Sequence, residues 1–201
     1  MGKVRLNVPG RHSVYNSLAA AAVGLELDVS FRRIAAAFGK FAGIDRRFHL
    51  RGRYGDSMVV DDYGHHPTEI EATLSAAREG FGARTIAVFQ PHRYSRTRAL
   101  LEEFGRAFFL ADHVIVTDIY AAGETPMPGI DGARVVDSLV RHGHPSVEYV
   151  PRLASVPARL RKRIQPGDLV LTLGAGDVWK AGQALLNGVR RPGSRARGKH
   201  R

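Results

Sequence analysis

Between residues 49 and 187, short runs dense in Val, Ile and Leu alternate with longer amphipathic stretches. The runs 57–60, 85–89, 113–117 and 168–173 have the length and composition of strands buried on both faces of a sheet. Pro67 and Thr68 are good helix-start residues and open a helix over 67–77. Leu100, Leu101, Phe104 and Phe108 recur at helical spacing within 95–110. Three more helices are predicted over 132–142, 153–164 and 177–186. Strand–helix alternation of this kind implies an α/β domain with a Rossmann-like, doubly wound and mostly parallel sheet and right-handed crossovers. In that architecture ligands gather at the carboxyl ends of the strands.

The opening segment is different. After the turn at Pro9-Gly10, helices are predicted over 12–24 and 30–38, with a connector over 39–47 and no strand. Two helices without a strand read as the end of another domain. The chain has no internal repeat, and low complexity is confined to residues 189–201.

Composition narrows the classes. Hydrophobic residues make up 44% and charged residues 24% of 201 residues, ordinary for a globular protein. No apolar run approaches the roughly 18 residues of a membrane span, and the N-terminus lacks a secretory h-region. With no cysteine there is no disulfide framework, thiolate metal site or cysteine nucleophile, and a cytoplasmic location is expected. More than half of the net charge of +11 lies on residues 189–201, which carry six Lys or Arg and no acid. A Gly/Arg/Pro/Ser tail of this kind is expected to be disordered and solvated. It contains no aromatic residue to stack a base, so a nucleic-acid role is disfavoured.

Four polar clusters follow strands. Asp61-Asp62-Tyr63-Gly64-His65-His66-Pro67 sets two carboxylates and two imidazoles at a strand's carboxyl end. Contact with a nucleotide or substrate ranks first for it, a polar turn with a helix cap second. Metal ligation is a distant third, because no third ligand stands at fixed spacing. Gln90-Pro91-His92-Arg93-Tyr94-Ser95-Arg96 opens a helix, where Arg93 and Arg96, three apart, can converge on one carboxylate or phosphate. Gly174-Ala175-Gly176-Asp177 is weak evidence for a dinucleotide site, and a tight turn with Asp177 as N-cap explains it as well. Tyr120-Ala121-Ala122-Gly123-Glu124 is expected to be a loop on the same rim. No G-x-x-x-x-G-K-[ST] loop and no G-x-S-x-G elbow occurs. The residues alone therefore describe an anion- or nucleotide-handling domain with half of a site.

The segments DDYGHHPTEI, FQPHRYSRTRALLEEFG, TDIYAAGE, LGAGDVW, PGRHSVYNSLAA and FAGIDRRF resemble, in order, the UDP-N-acetylmuramate–L-alanine ligases of the Mur ligase family. The resemblance runs from about Pro9 to Leu186. It implies residues 1–44 as the end of a central ATP-binding domain, 45–188 as the family's C-terminal domain and 189–201 as a basic tail. It also implies ATP-dependent ligation of L-alanine to UDP-N-acetylmuramate through an acyl phosphate, in peptidoglycan synthesis. By the same resemblance Asn16, Arg47 and Asp62 meet the nucleotide, Arg47 and Asp62 being the catalytic pair. Ser13 stands where the family has a second asparagine. Tyr63, His65, His92, Arg93 and Arg96 hold L-alanine and the growing product. Magnesium is expected on the family's central domain, and no metal ligand is assigned in this chain. A truncated or split ligase, inactive alone and completed by a separate chain, is the expectation. A stand-alone nucleotide or muramyl-peptide binding module is the alternative.

Overall fold

The computed structural model describes residues 2–188, and the basic tail 189–201 lies outside the described residues. Two helices, α1 (Arg11–Glu26) and α2 (Phe31–Lys40), precede a connector that leads into a six-stranded sheet. The sheet is built from β1 (His49–Tyr54), β2 (Ser57–Asp62), β3 (Thr85–Phe89), β4 (His113–Val116), β5 (Val147–Tyr149) and β6 (Leu169–Leu173). Its order is β1-β2-β6-β3-β4-β5, antiparallel only at β1–β2 and parallel elsewhere. This is the mostly parallel α/β sheet that the alternation predicts.

Period-two alternation divides each central strand between two cores. Val60, Ala87, Phe89, Val114 and Val116 face one layer with α3 (Pro67–Phe81), α5 (Leu101–Arg106) and α6 (Gly132–Arg141). Val59, Ile86, Val88, Ile115 and Val170 face the other, with α7 (Val156–Arg163) and α8 (Trp179–Asn187). Burial on both faces explains why these strands read as continuous apolar runs.

Four expectations are corrected. The helix predicted over 95–110 is two short helices, α4 (Tyr94–Ala99) and α5, broken at Leu100 (φ −114°, ψ 23°). Asp177 is not the N-cap of α8, which begins at Trp179 after Val178, because its carboxylate is bound to Gln90. Strands β1 and β5 were not foreseen. HLRGRY carries a histidine and two arginines because it is an outer strand, and VEY is only three residues long. Helix α3 continues four residues past its expected end, to Phe81, before Gly82 closes it in the left-handed region (φ 58°).

Helix α1 has no buried residue and α2 buries only Ile34. Within the opening segment that carries this helix pair, Asn7 donates to the Gly39 carbonyl of α2 at 2.7 Å, and the segment meets the sheet domain where Gly10 approaches Ala76 of α3 so closely that a Cβ there would lie 2.9 Å away. Between this pair and α3 lies an open cavity of about 820 Å³.

Candidate functional site

The connector from α2 to β1 takes three left-handed turns in six residues, at Gly43 (φ 99°), Arg46 (φ 62°) and Phe48 (φ 45°). Non-glycine residues pay for that conformation, so neighbouring contacts must hold it. The carboxylate of Asp62, at the end of β2, accepts the Phe48 N–H at 2.8 Å and the Gly64 N–H at 2.7 Å. Tyr63 N–H donates to the Arg46 carbonyl at 2.6 Å. The Arg46 guanidinium donates to the carbonyls of Gly174 (2.6 Å) and Gly176 (3.1 Å) and to Asp61 (3.3 Å), and packs over the Tyr63 ring. Asp61 is fully buried and also accepts from the Thr172 hydroxyl at 2.7 Å. Burial pushes its carboxyl up, opposed by Thr172 and Arg46.

Arg46 was not singled out from the sequence, where it is one of two adjacent arginines. Its guanidinium binds two carbonyls of the loop after β6, whose two glycines the sequence left open between a tight turn and a dinucleotide site. The glycines serve close approach: at Gly176 a Cβ would lie 2.5 Å from Gln90 Oε1 and 2.6 Å from the Tyr120 ring. Gln90 in turn exchanges two hydrogen bonds of 2.9 Å with Asp177. Burial opposes ionisation of Asp177, but Gln90 and Lys180 hold it below the usual aspartate range.

Arg47, the next residue, faces the other way. It lines the 820 Å³ cavity with Ser13, Asn16, Asp62, Thr68 and Glu69, against apolar walls from Leu6, Val8, Phe38 and Phe41. All three residues expected to meet a nucleotide therefore share one cavity. Ser13 Oγ donates to the Pro9 carbonyl at 2.8 Å, which leaves its lone pairs to accept.

Beyond the cavity, four rings form a row across the strand ends. Tyr63 meets His65 edge-on at 5.4 Å between centroids, His65 lies 5.5 Å from His92, and His92 stacks on Tyr120 at 5.7 Å. The row is assembled by a bridge between His92 and Tyr120, in which Arg93 N–H donates to Tyr120 O and Tyr120 N–H to Pro91 O. The sequence places Tyr120 in a rim loop, and nothing local in it foretells the stacking on His92.

The bridge also forces a sharp turn at Arg93 (φ 72°), which therefore precedes α4 instead of sharing its first turn with Arg96. Arg93 is exposed. Arg96 Nη1 reaches His92 Nδ1 at 3.2 Å. Glu124, not a ligand, caps the start of α4: it accepts the Ser95 N–H at 3.0 Å and the Ser95 hydroxyl at 2.5 Å. The Ser95 N–H at the start of α4 is therefore already taken by a carboxylate.

Proton positions follow from these partners. Arginine only donates, so His92 Nδ1 accepts and Nε2 carries the hydrogen. Burial, then Arg96 and the neighbouring His65, pushes the His92 imidazole below its usual range, which keeps it neutral. His65 Nδ1 faces two acceptors, Tyr63 O at 3.0 Å and Glu69 Oε2 at 3.5 Å, so it carries the hydrogen and Nε2 accepts. The row thus presents one N–H donor beside a guanidinium and, one ring away, one lone pair. Among the described residues no three His, Asp or Glu side chains group as a metal site requires.

The Mur ligase, glutamate ligase domain model matches residues 46–176. The chain is 54% identical over 185 residues to the UDP-N-acetylmuramate–L-alanine ligase of Syntrophotalea carbinolica, covering 92% of this chain and 40% of that protein. It is 48% identical over 197 residues to the ligase of the same name from Salinibacter ruber, covering 98% and 42%. Among solved structures it resembles a UDP-N-acetylmuramate-alanine ligase from Thermotoga maritima, with TM-score 0.77 and 30% identity over 93% of this chain and 40% of that one. A murein peptide ligase from Psychrobacter arcticus follows at TM-score 0.67 and 25% identity, over 92% and 38%. The chain spans about two fifths of the length of these relatives.

Proposed function

The chain belongs to the Mur ligase family, and on that premise we propose that it supplies the amino-acid-binding part of an ATP-dependent UDP-N-acetylmuramate–L-alanine ligase of cytoplasmic peptidoglycan synthesis. In this reading residues 1–44 end the central domain and 45–188 form the C-terminal domain. The observation that carries the proposal is the adjacency of two differently built sites: the cavity with Asn16, Arg47 and Asp62, and the row with Tyr63, His65, His92 and Arg96.

The cavity suits a purine nucleotide, with apolar walls for the base, the Asn16 amide for its edge and the Arg47 cation for phosphate. Asp62 acts mainly by holding the connector, since both its oxygens already accept backbone N–H groups. The row suits the head group of an amino acid. His92 Nε2–H and the Arg96 guanidinium would hold the carboxylate, with the exposed Arg93 beside them, while His65 Nε2 accepts a hydrogen of the amine. That pose holds the neutral amine for attack on an acyl phosphate at the cavity side: the C–N bond forms as the bond to phosphate breaks, and the amine's surplus proton passes to His65 Nε2. The same cations offset charge on the tetrahedral intermediate. Magnesium would neutralise phosphate charge, and its ligands are expected on the family's central domain.

The sequence contains no P-loop, so the chain is proposed to be inactive alone and to work with a chain that supplies the UDP-sugar and ATP-binding domains. The test is ADP release from ATP, UDP-N-acetylmuramate and L-alanine, with this chain alone and mixed with such a partner. Turnover only in the mixture supports the proposal. Silence in the mixture, with the partner folded and the chain binding muramyl-alanine product, would instead describe a binding module.

A further inference from the structure

One carboxylate stands between the cavity and the row. Glu69, on the first turn of α3, accepts the backbone N–H of His65 at 3.0 Å and of His66 at 3.2 Å through Oε2. The same oxygen lies 3.5 Å from His65 Nδ1, while Oε1 lies 4.0 Å from Arg47 Nη1. Capping accounts for the backbone bonds. It does not account for a cation of the cavity and an imidazole of the row meeting on opposite oxygens of one group.

We infer that Glu69 is a positioning residue that couples the two sites, so that an anion drawn to Arg47 strengthens the hold of Glu69 on the His65 imidazole. The inference rests on the function proposed above. With Arg47 at hand, the charge of Glu69 is shared among the guanidinium, the two backbone N–H groups and His65 Nδ1–H, whose nearer acceptor is the Tyr63 carbonyl at 3.0 Å. When phosphate draws Arg47 away, the carboxylate keeps only the two backbone N–H groups and the imidazole, its attraction for Nδ1–H grows, and the opposite nitrogen, Nε2, becomes the better acceptor for an amine. The nucleotide side would then prepare the amino-acid side through a single side chain. Burial acts against ionisation of Glu69, but the two N–H groups, His65 and Arg47 together hold it below the usual glutamate range, so the charge needed for coupling is present at neutral pH.

A second path is available, because Arg47 also lies over the Tyr63 ring at 5.9 Å and Tyr63 meets His65 edge-on. The experiment separates the two. Ring 15N signals of His65 are recorded in this chain at fixed neutral pH, for wild type, Arg47→Ala, Glu69→Gln and the double variant. Arg47→Ala imitates withdrawal of the guanidinium. Glu69→Gln keeps an oxygen for the capping bonds and removes the charge, and its melting temperature checks that the fold is kept. Coupling through Glu69 predicts that Arg47→Ala shifts the His65 signals in the wild-type background and adds no shift in the Glu69→Gln background. An equal shift in both backgrounds would assign the coupling to Tyr63 and overturn the inference. If Glu69→Gln fails to fold, Arg47→Ala still decides: unmoved His65 signals overturn the inference, and a shift lost on Glu69→Asp, whose shorter arm withdraws from Arg47, supports it. No nucleotide or amino acid is added, so the result is independent of whether the ligase assay succeeds.

Discussion

The Asp62 carboxylate at the end of β2 accepts the backbone N–H of Phe48, 14 residues earlier, at 2.8 Å. Together with the Tyr63 N–H bond to the Arg46 carbonyl, this bond holds the strained connector that sends Arg46 inward to the sheet and Arg47 outward to the cavity. Replacing Asp62 by Ala leaves two backbone donors without their acceptor and is expected to cost about 1–3 kcal/mol. Asn, which keeps one oxygen, should cost less. Urea unfolding gives the totals, and amide exchange at Phe48 and Gly64 should accelerate in both variants.

Arg46 satisfies the fully buried Asp61 and two loop carbonyls at once. Arg46→Ala is expected to destabilise by about 2–3 kcal/mol, since it removes the cation from a buried carboxylate. Arg46→Lys should recover part of this, because an ammonium can reach one carbonyl but not reproduce the fork. Equal unfolding free energies for the two variants would contradict the clamp.

Much of this architecture is legible in the sequence and some is not, for physical reasons. The buried strands announce themselves because both faces are apolar. The outer strand β1 does not, because Arg51 and Arg53 alternate with Leu50, Gly52 and Tyr54 and a bulge between Leu50 and Gly52 interrupts its register. The break at Leu100 lies inside an uninterrupted helical periodicity, so only tertiary packing reveals it. The polar clusters that contain His65, His92 and Arg96 were legible because they follow strands, while the roles proposed for these residues came from the family resemblance. Glu69 had a signal, three residues after His66 at the start of α3, where a capping-box glutamate sits. Arg46 and Tyr120 had none, since their roles depend on a left-handed turn and on a bridge between residues 28 apart.

Gly176→Ala tests the close approach behind the ring row. Its Cβ would come within 2.6 Å of the Tyr120 ring, so that ring or the loop must move, at about 1–3 kcal/mol. Because Tyr120 stacks on His92, the His92 ring resonances should shift as well. An unchanged melting temperature with unchanged His92 signals would contradict this packing.

His113, at the start of β4, is buried beside Ser146 and 3.8 Å from Glu148. Burial, reinforced by Arg163, pushes its imidazole down from 6.5 to about 4. The unfolded chain takes up a proton near pH 6.5 that the folded chain refuses. Stability present at pH 7 is therefore lost as the pH falls from 6.5 towards 4, and levels off below, with a loss on the order of 3 kcal/mol. His113→Gln removes the group, so the difference between the two stability curves should show this window. Parallel curves would contradict the assignment.

The central claim, that the ring row and Arg96 hold the amino acid, is tested most directly by the KM for L-alanine of Arg96→Ala in the ligase reassembled with a chain carrying the UDP-sugar and ATP-binding domains. A charge-assisted contact to a carboxylate predicts a rise of roughly tenfold to a hundredfold, with the KM for ATP little changed. An unchanged KM for L-alanine would place the amino acid elsewhere.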